Sequence, residues 1–97
     1  MTGQNGKAAW LQENPDGSIT IDFGDRAPKI DGTLVKSLVV REPTVGDQLA
    51  AQRGQADAAV AEVALLANLT EQTPEAIRGL TMRQYSRLQA ALAVFLE

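Results

Sequence analysis

Histidine and cysteine are both absent from this sequence of 97 residues. Their absence excludes the usual zinc sites, disulfides, thiol nucleophiles and imidazole-based acid–base catalysis. The serine and threonine hydroxyls therefore have no obvious general base, and the acidic residues lack the spacing of a calcium-binding loop. We predict that the chain is not an enzyme and that it has no cofactor and no metal site.

Positive charge and long apolar segments are also scarce. Nine Lys and Arg stand against twelve Asp and Glu, which leaves a formal net charge of −3. This sign disfavours general attraction to a phosphate backbone. No segment approaches the roughly 20 apolar residues that a membrane-spanning helix needs, and the first ten residues lack the apolar stretch of a secretory signal. We expect a cytoplasmic protein that binds neither nucleic acid nor membrane.

Aromatic residues make up only 4% of the chain, whereas the hydrophobic fraction is 44% and includes 15 alanines. Alanine favours helices that pack closely, but its small side chain fills little volume. The sequence therefore predicts thin helical layers, with apolar surface left over for a partner.

The composition divides the chain into two parts. Residues 1–17 mix Gly, Asn, Gln and Pro without a sustained period, which predicts a flexible leader. Trp10 is either incidental there or attaches the leader to the domain or to a partner. Residues 18–97 predict a single α+β domain, with an N-terminal β-hairpin over 18–42 followed by a small bundle of three to four α-helices over 43–97.

The predicted hairpin begins with a clear strand signal. Ile19, Ile21 and Phe23 alternate with polar residues, as in a half-buried strand. Asp31-Gly32 suits a two-residue turn. The returning run over 33–41 alternates imperfectly, so we predict a bulge near residues 36–37. Because an isolated hairpin is only marginally stable, it must pack on helices or join a larger sheet.

Three helix starts follow residue 43. Thr44, Thr73 and Thr81 each provide a hydroxyl for an N-cap. Pro74 stands at a first helical position, and Gln84 completes a capping box with Thr81. These signals predict helices that begin after each threonine.

Two helical segments carry most of the apolar residues. Segment 56–69 is apolar on nearly every face, so it is either central to the fold or part of an interface. Segment 82–96 has one apolar stripe, and its Arg83 and Arg87 form either a small basic patch or a solvated face. We predict that the stripe and segment 56–69 are divided between core and partner contact. The residues predicted for this surface are Val60, Val63, Leu66, Leu69, Leu88, Leu92 and Phe95.

Several short segments of residues 18–97 together resemble the phage tail assembly chaperones of Mu-like and P2-like contractile-tailed phages. The step Arg41-Glu42-Pro43-Thr44 from strand to helix is the most specific part. The closing Leu-Gln-Ala-Ala-Leu-x-x-Phe-Leu at 88–96 supports it. The other matching segments are 38–47 around this step, 30–32, 64–67, 73–77 and 84–87. Residues 1–17 match nothing in this pattern.

The resemblance implies a non-enzymatic protein that works in tail morphogenesis. Such chaperones bind the long, helical, aggregation-prone tape measure protein, keep it soluble and help tail tube subunits assemble around it. They are generally not retained in the virion. The resemblance also implies a longer form of the chain, made by a translational frameshift near its end, as a further partner besides the tail tube protein.

A second class of function remains open from the residues alone. A small phage or bacterial adaptor or regulatory domain could dimerise through the same apolar helices and bind one defined protein. A homo-oligomer is compatible with either class. A pull-down separates them, because a tail chaperone should recover a tape measure protein and an adaptor should recover something else.

Overall fold

The computed structural model describes residues 8–97. In this part of the chain, a three-stranded antiparallel sheet has the order β1-β2-β5, and a separate two-stranded ribbon pairs β3 with β4. The strands are β1 (Leu11–Glu13), β2 (Ile19–Asp22), β3 (Lys29–Ile30), β4 (Thr33–Leu34) and β5 (Ser37–Val40). The helices that follow are α1 (Val45–Gln52), α2 (Ala58–Thr70), α3 (Pro74–Arg78) and α4 (Met82–Phe95). This architecture confirms the predicted α+β fold.

Strand β1 lies inside the segment for which a flexible leader was predicted, and for residues 8–17 that prediction is wrong. Leu11 pairs with Ile21 and is buried, and Glu13 pairs with Ile19. Asp16 closes the turn between the strands by accepting a hydrogen bond of 2.9 Å from the backbone amide of Ser18. A strand of three residues is too short for a periodic signal. Residues 1–7 of the predicted leader lie outside the described residues.

The predicted hairpin over 18–42 is divided between the two sheets. Asp31 and Gly32 have φ values of 54° and 80°, as a sharp two-residue turn between strands requires. They connect β3 and β4, however, while β5 leaves this ribbon and pairs with β2, with Val40 opposite Ile19. The bulge predicted near residues 36–37 is thus a break between β4 and β5. The break restores alternation, so that Leu38 and Val40 both face the core.

The predicted helix starts are confirmed. In each case the threonine hydroxyl accepts a hydrogen bond from the backbone amide three residues later: Thr44 from Asp47 at 3.1 Å, Thr73 from Ala76 at 3.0 Å and Thr81 from Gln84 at 3.2 Å. Helix α2 begins at a fourth cap that the sequence analysis did not assign. There the Asp57 carboxylate accepts from the amide of Ala59 at 2.8 Å.

The core lies between the three-stranded sheet and helices α2, α3 and α4. Helix α2 is central, with six buried residues, whereas none of the residues of α1 is buried. The large fully buried side chains are Ile19, Ile21, Val40, Leu66, Leu69, Ile77 and Leu88. No helix within residues 8–97 is long and apolar enough to cross a membrane.

Candidate partner-binding groove

The Asp47 carboxylate holds α1 in place beside α2. It accepts hydrogen bonds from both terminal nitrogens of Arg41, at 2.9 and 3.2 Å, and from the backbone amide of Thr44 at 2.8 Å. The Asn68 side chain of α2 donates a further hydrogen bond of 3.3 Å. The guanidinium of Arg41, followed by the Thr44 amide, holds the pKa of Asp47 well below its ordinary value of 3.8. One carboxylate therefore connects the end of β5, the start of α1 and the last turns of α2.

Helix α1 in this position forms one wall of a groove with a volume of about 960 Å³. Helix α2 and the C-terminal half of α4 provide the remaining walls. Alanine contributes much of the lining, and because its side chain is a single methyl group, the space between the helices stays open. The apolar lining residues are Pro43, Val45, Ala51, Ala56, Ala58, Ala61, Leu65, Leu92, Ala93, Phe95 and Leu96.

The polar lining of the groove is almost entirely neutral. It includes four glutamines, at positions 48, 52, 55 and 89, and Glu62 is its only charged side chain within residues 8–97. The Glu62 carboxylate accepts a hydrogen bond of 2.6 Å from the Tyr85 hydroxyl and one of 2.9 Å from the Gln89 amide. Partial burial, and then the contact with Glu62, raise the pKa of Tyr85 above its ordinary value of 10.0. Tyr85 therefore stays a neutral donor across the physiological pH range.

The structure divides the residues predicted for partner contact. Leu66, Leu69 and Leu88 are at most 1% exposed. These three residues therefore belong to the core, and their assignment to the partner-binding surface is corrected. All three belong to the buried core cluster, where a partner cannot reach them. Val63 is partly buried against the same core.

The other three predicted residues reach the surface. Leu92 and Phe95 are partly buried and line the groove, whereas Val60 is 42% exposed and lies outside its lining. The predicted surface is therefore not one continuous patch. Its accessible residues lie at the C-terminal end of α4 and the N-terminal end of α2.

The sequence pattern did not reveal that α1 contributes exposed apolar side chains to the surface. Val45 is 78% exposed and Leu49 is 63% exposed, and both lie on one side of this helix. Their spacing of four residues was a signal that could have identified an apolar face. Leu96, which is 85% exposed, adds apolar surface at the end of the groove.

The arginines of α4 lie on a different surface from the groove. Arg87 places its guanidinium 4.8 Å from the centre of the Trp10 ring and donates a hydrogen bond of 2.6 Å to the Asp22 carbonyl. Trp10 thus attaches the N-terminal segment to the domain, one of the two readings that the sequence left open. Arg83 and Arg26 line a smaller pocket beside them, of about 330 Å³.

An apolar groove between helices with a polar rim is a common receptor for a partner helix, so these features are typical of a small protein-binding domain. Within residues 8–97, no group of acidic side chains is arranged to hold a metal ion. The family model for phage tail assembly chaperone proteins, E, or 41 or 14, matches residues 18–97. The chain belongs to this family of tail assembly chaperones, which is a non-catalytic kind of protein. No curated protein and no solved structure is significantly similar to it.

Proposed function

We propose that this chaperone binds the tape measure protein in the host cytoplasm, keeps it soluble and promotes assembly of the tail tube around it, without being retained in the virion. The observation that carries the proposal is the open groove between α1, α2 and α4, with its apolar lining and glutamine rim. A long helical protein needs its apolar face covered before assembly, and a groove of this kind covers one face of a helix.

The small side chains of the groove favour this type of partner. Ala58, Ala61 and Ala93 allow the backbone of another helix to approach closely. The glutamines of the rim can hydrogen bond to the polar face of such a helix, although each neutral hydrogen bond adds only about 1 kcal/mol. Contacts of this kind suit a partner that is bound during assembly and later released.

The test is co-expression with the tape measure protein encoded in the same tail gene cluster. We expect the wild-type chain to raise the soluble fraction of that protein and to co-purify with it. Ala93→Arg places a long charged side chain in the groove and should abolish both effects. Met82→Arg is the matched control, since Met82 is exposed on the same helix but does not line the groove.

Other results would contradict the proposal or favour a different partner. If Ala93→Arg solubilises the tape measure protein as effectively as the wild type does, the groove is excluded as the binding site. A chain that dimerises, leaves the tape measure protein insoluble and recovers one unrelated protein would favour the adaptor alternative. Light scattering on the purified chain reports whether a homo-oligomer forms.

Two further partners belong to the same proposal. The tail tube protein should be recovered with the complex once the tape measure protein is present. A longer form of the chain requires a slippery heptamer upstream of the stop codon and an overlapping downstream frame. The coding sequence tests this directly, and the absence of both features would remove the longer form from the proposal.

A further inference from the structure

The charge that lines the groove within residues 8–97 belongs to one side chain, Glu62. Both hydrogen bonds to Glu62, from Tyr85 and Gln89, end on its Oε1 atom. Among residues 8–97, no other group donates to this side chain, so Oε2 has no protein partner. A carboxylate can accept about four hydrogen bonds, so half of this capacity is unused.

Within residues 8–97, no lysine or arginine forms an ion pair with this carboxylate. Arg41 is paired with Asp47, Arg78 with Glu75, and Arg87 with the carbonyl of Asp22. In the described part of the chain, no lysine or arginine lines the groove. A purely apolar helix that covered the groove would therefore remove water from Glu62 without replacing its interactions, and an unpaired carboxylate is costly to desolvate.

We infer that the groove recognises an amphipathic helix that carries a lysine or arginine within its apolar face, with the basic group bound to Oε2 of Glu62. This inference rests on the proposed function, because the helix would be a segment of the tape measure protein. The apolar side chains of the segment would contact Leu65, Leu92 and Phe95, and the basic side chain would select the segment and its register. Charge complementarity at a desolvated site contributes specificity in this way.

The variant Glu62→Gln removes the charge and keeps the shape. Its amide oxygen can still accept from Tyr85 and Gln89, so the fold should be retained. Glu71→Gln is the matched control, because it makes the same change of charge at an exposed residue outside the groove. Thermal unfolding of all three proteins checks that they remain folded.

The probes are two synthetic helical peptides of about 18 residues, or five turns, labelled with fluorescein. Both carry leucines at spacings of three and four residues, and they differ at one central position that is lysine in the first peptide and glutamine in the second. Fluorescence anisotropy with the full chain measures their affinities. The wild type and Glu71→Gln should bind the lysine peptide about tenfold more tightly than the glutamine peptide, and Glu62→Gln should bind both equally.

Three results would overturn the inference. The first is equal affinity of the wild type for the two peptides, and the second is an unchanged lysine preference in Glu62→Gln. The third is no binding of either peptide at about 1 mM, the outcome expected if a second copy of the chain fills the groove.

If the wild type solubilises the tape measure protein without a lysine preference, the proposed function stands and this inference fails. If the lysine preference is present and the tape measure protein stays insoluble, the proposed function fails.

Discussion

Arg41 and Asp47 form a bidentate ion pair across the connection from β5 to α1, with nitrogen–oxygen distances of 2.9 and 3.2 Å. This pair gives a physical reason for the Arg-Glu-Pro-Thr segment, the most specific part of the resemblance to tail chaperones. Arg41 binds Asp47 in the first turn of α1, the helix that Thr44 caps. Asp47 is thus both the partner of Arg41 and part of the capping box. Since α1 has no buried residue, these polar contacts position the wall of the groove.

The first prediction concerns the attachment of α1. Asp47→Asn keeps an oxygen for the Thr44 amide but removes the charge that binds Arg41, so α1 should open more often. Hydrogen exchange measured by mass spectrometry should show faster exchange in α1 than in the wild type, with α4 unchanged. Asp25→Asn, at an exposed position in the short 3₁₀ helix Gly24–Arg26, should leave both α-helices as they are. Equal protection of α1 in the wild type and Asp47→Asn would contradict this role.

The second prediction concerns acid pH. Because the folded-state pKa of Asp47 is lowered, its contribution to stability is fully present above its ordinary value of 3.8 and is lost as the pH falls below that value. Asp16, whose pKa is lowered by hydrogen bonds from Ser18, acts in the same direction. Chemical unfolding at a series of pH values should show a smaller loss of stability below about pH 4 in Asp47→Asn than in the wild type.

The third prediction concerns alkaline pH. The folded-state pKa of Tyr85 is raised, so its contribution to stability is present below pH 10.0 and is lost as the pH rises above this value. Tyr85 is the only tyrosine of the chain, so its phenolate absorbance can be followed directly. Removal of the negative charge in Glu62→Gln should shift the pKa of Tyr85 toward its ordinary value. Tyr85→Phe should lower stability at neutral pH by about 1 kcal/mol through the lost hydrogen bond.

The fourth prediction separates the core from the groove. Leu66→Ala leaves a cavity at a fully buried position and should lower the free energy of unfolding by about 2–5 kcal/mol. Leu96→Ala changes an exposed residue and should alter stability by less than about 0.5 kcal/mol. Leu96→Ala should nevertheless weaken capture of the tape measure protein, since Leu96 lines the groove. Urea unfolding and co-purification measure the two effects, and a large loss of stability in Leu96→Ala would assign this residue to the core.

Local signals in the sequence predicted much of the fold. The threonine caps and the Asp31-Gly32 turn depend on atoms a few residues apart, so their residue types suffice to identify them. Strand β1 could not be found in this way, because its three residues are a strand only through their pairing with β2. The sequence did predict a returning strand over 33–41, but its division into β4 and β5 and the pairing of β5 with β2 depend on long-range contacts that a local pattern does not show.

The class of protein follows from the amino-acid sequence alone. The lack of histidine and cysteine, the net negative charge and the segments shared with tail chaperones needed no coordinates. Which apolar residues are accessible depends on how the helices and the sheet pack against one another. Helix α2 is apolar on nearly every face, so periodicity cannot choose between its sides, and packing against the sheet buried Leu66 and Leu69. The same packing left Leu92 and Phe95 beside Glu62 in the groove, because long-range contacts between helices determine where an alanine-rich surface stays open.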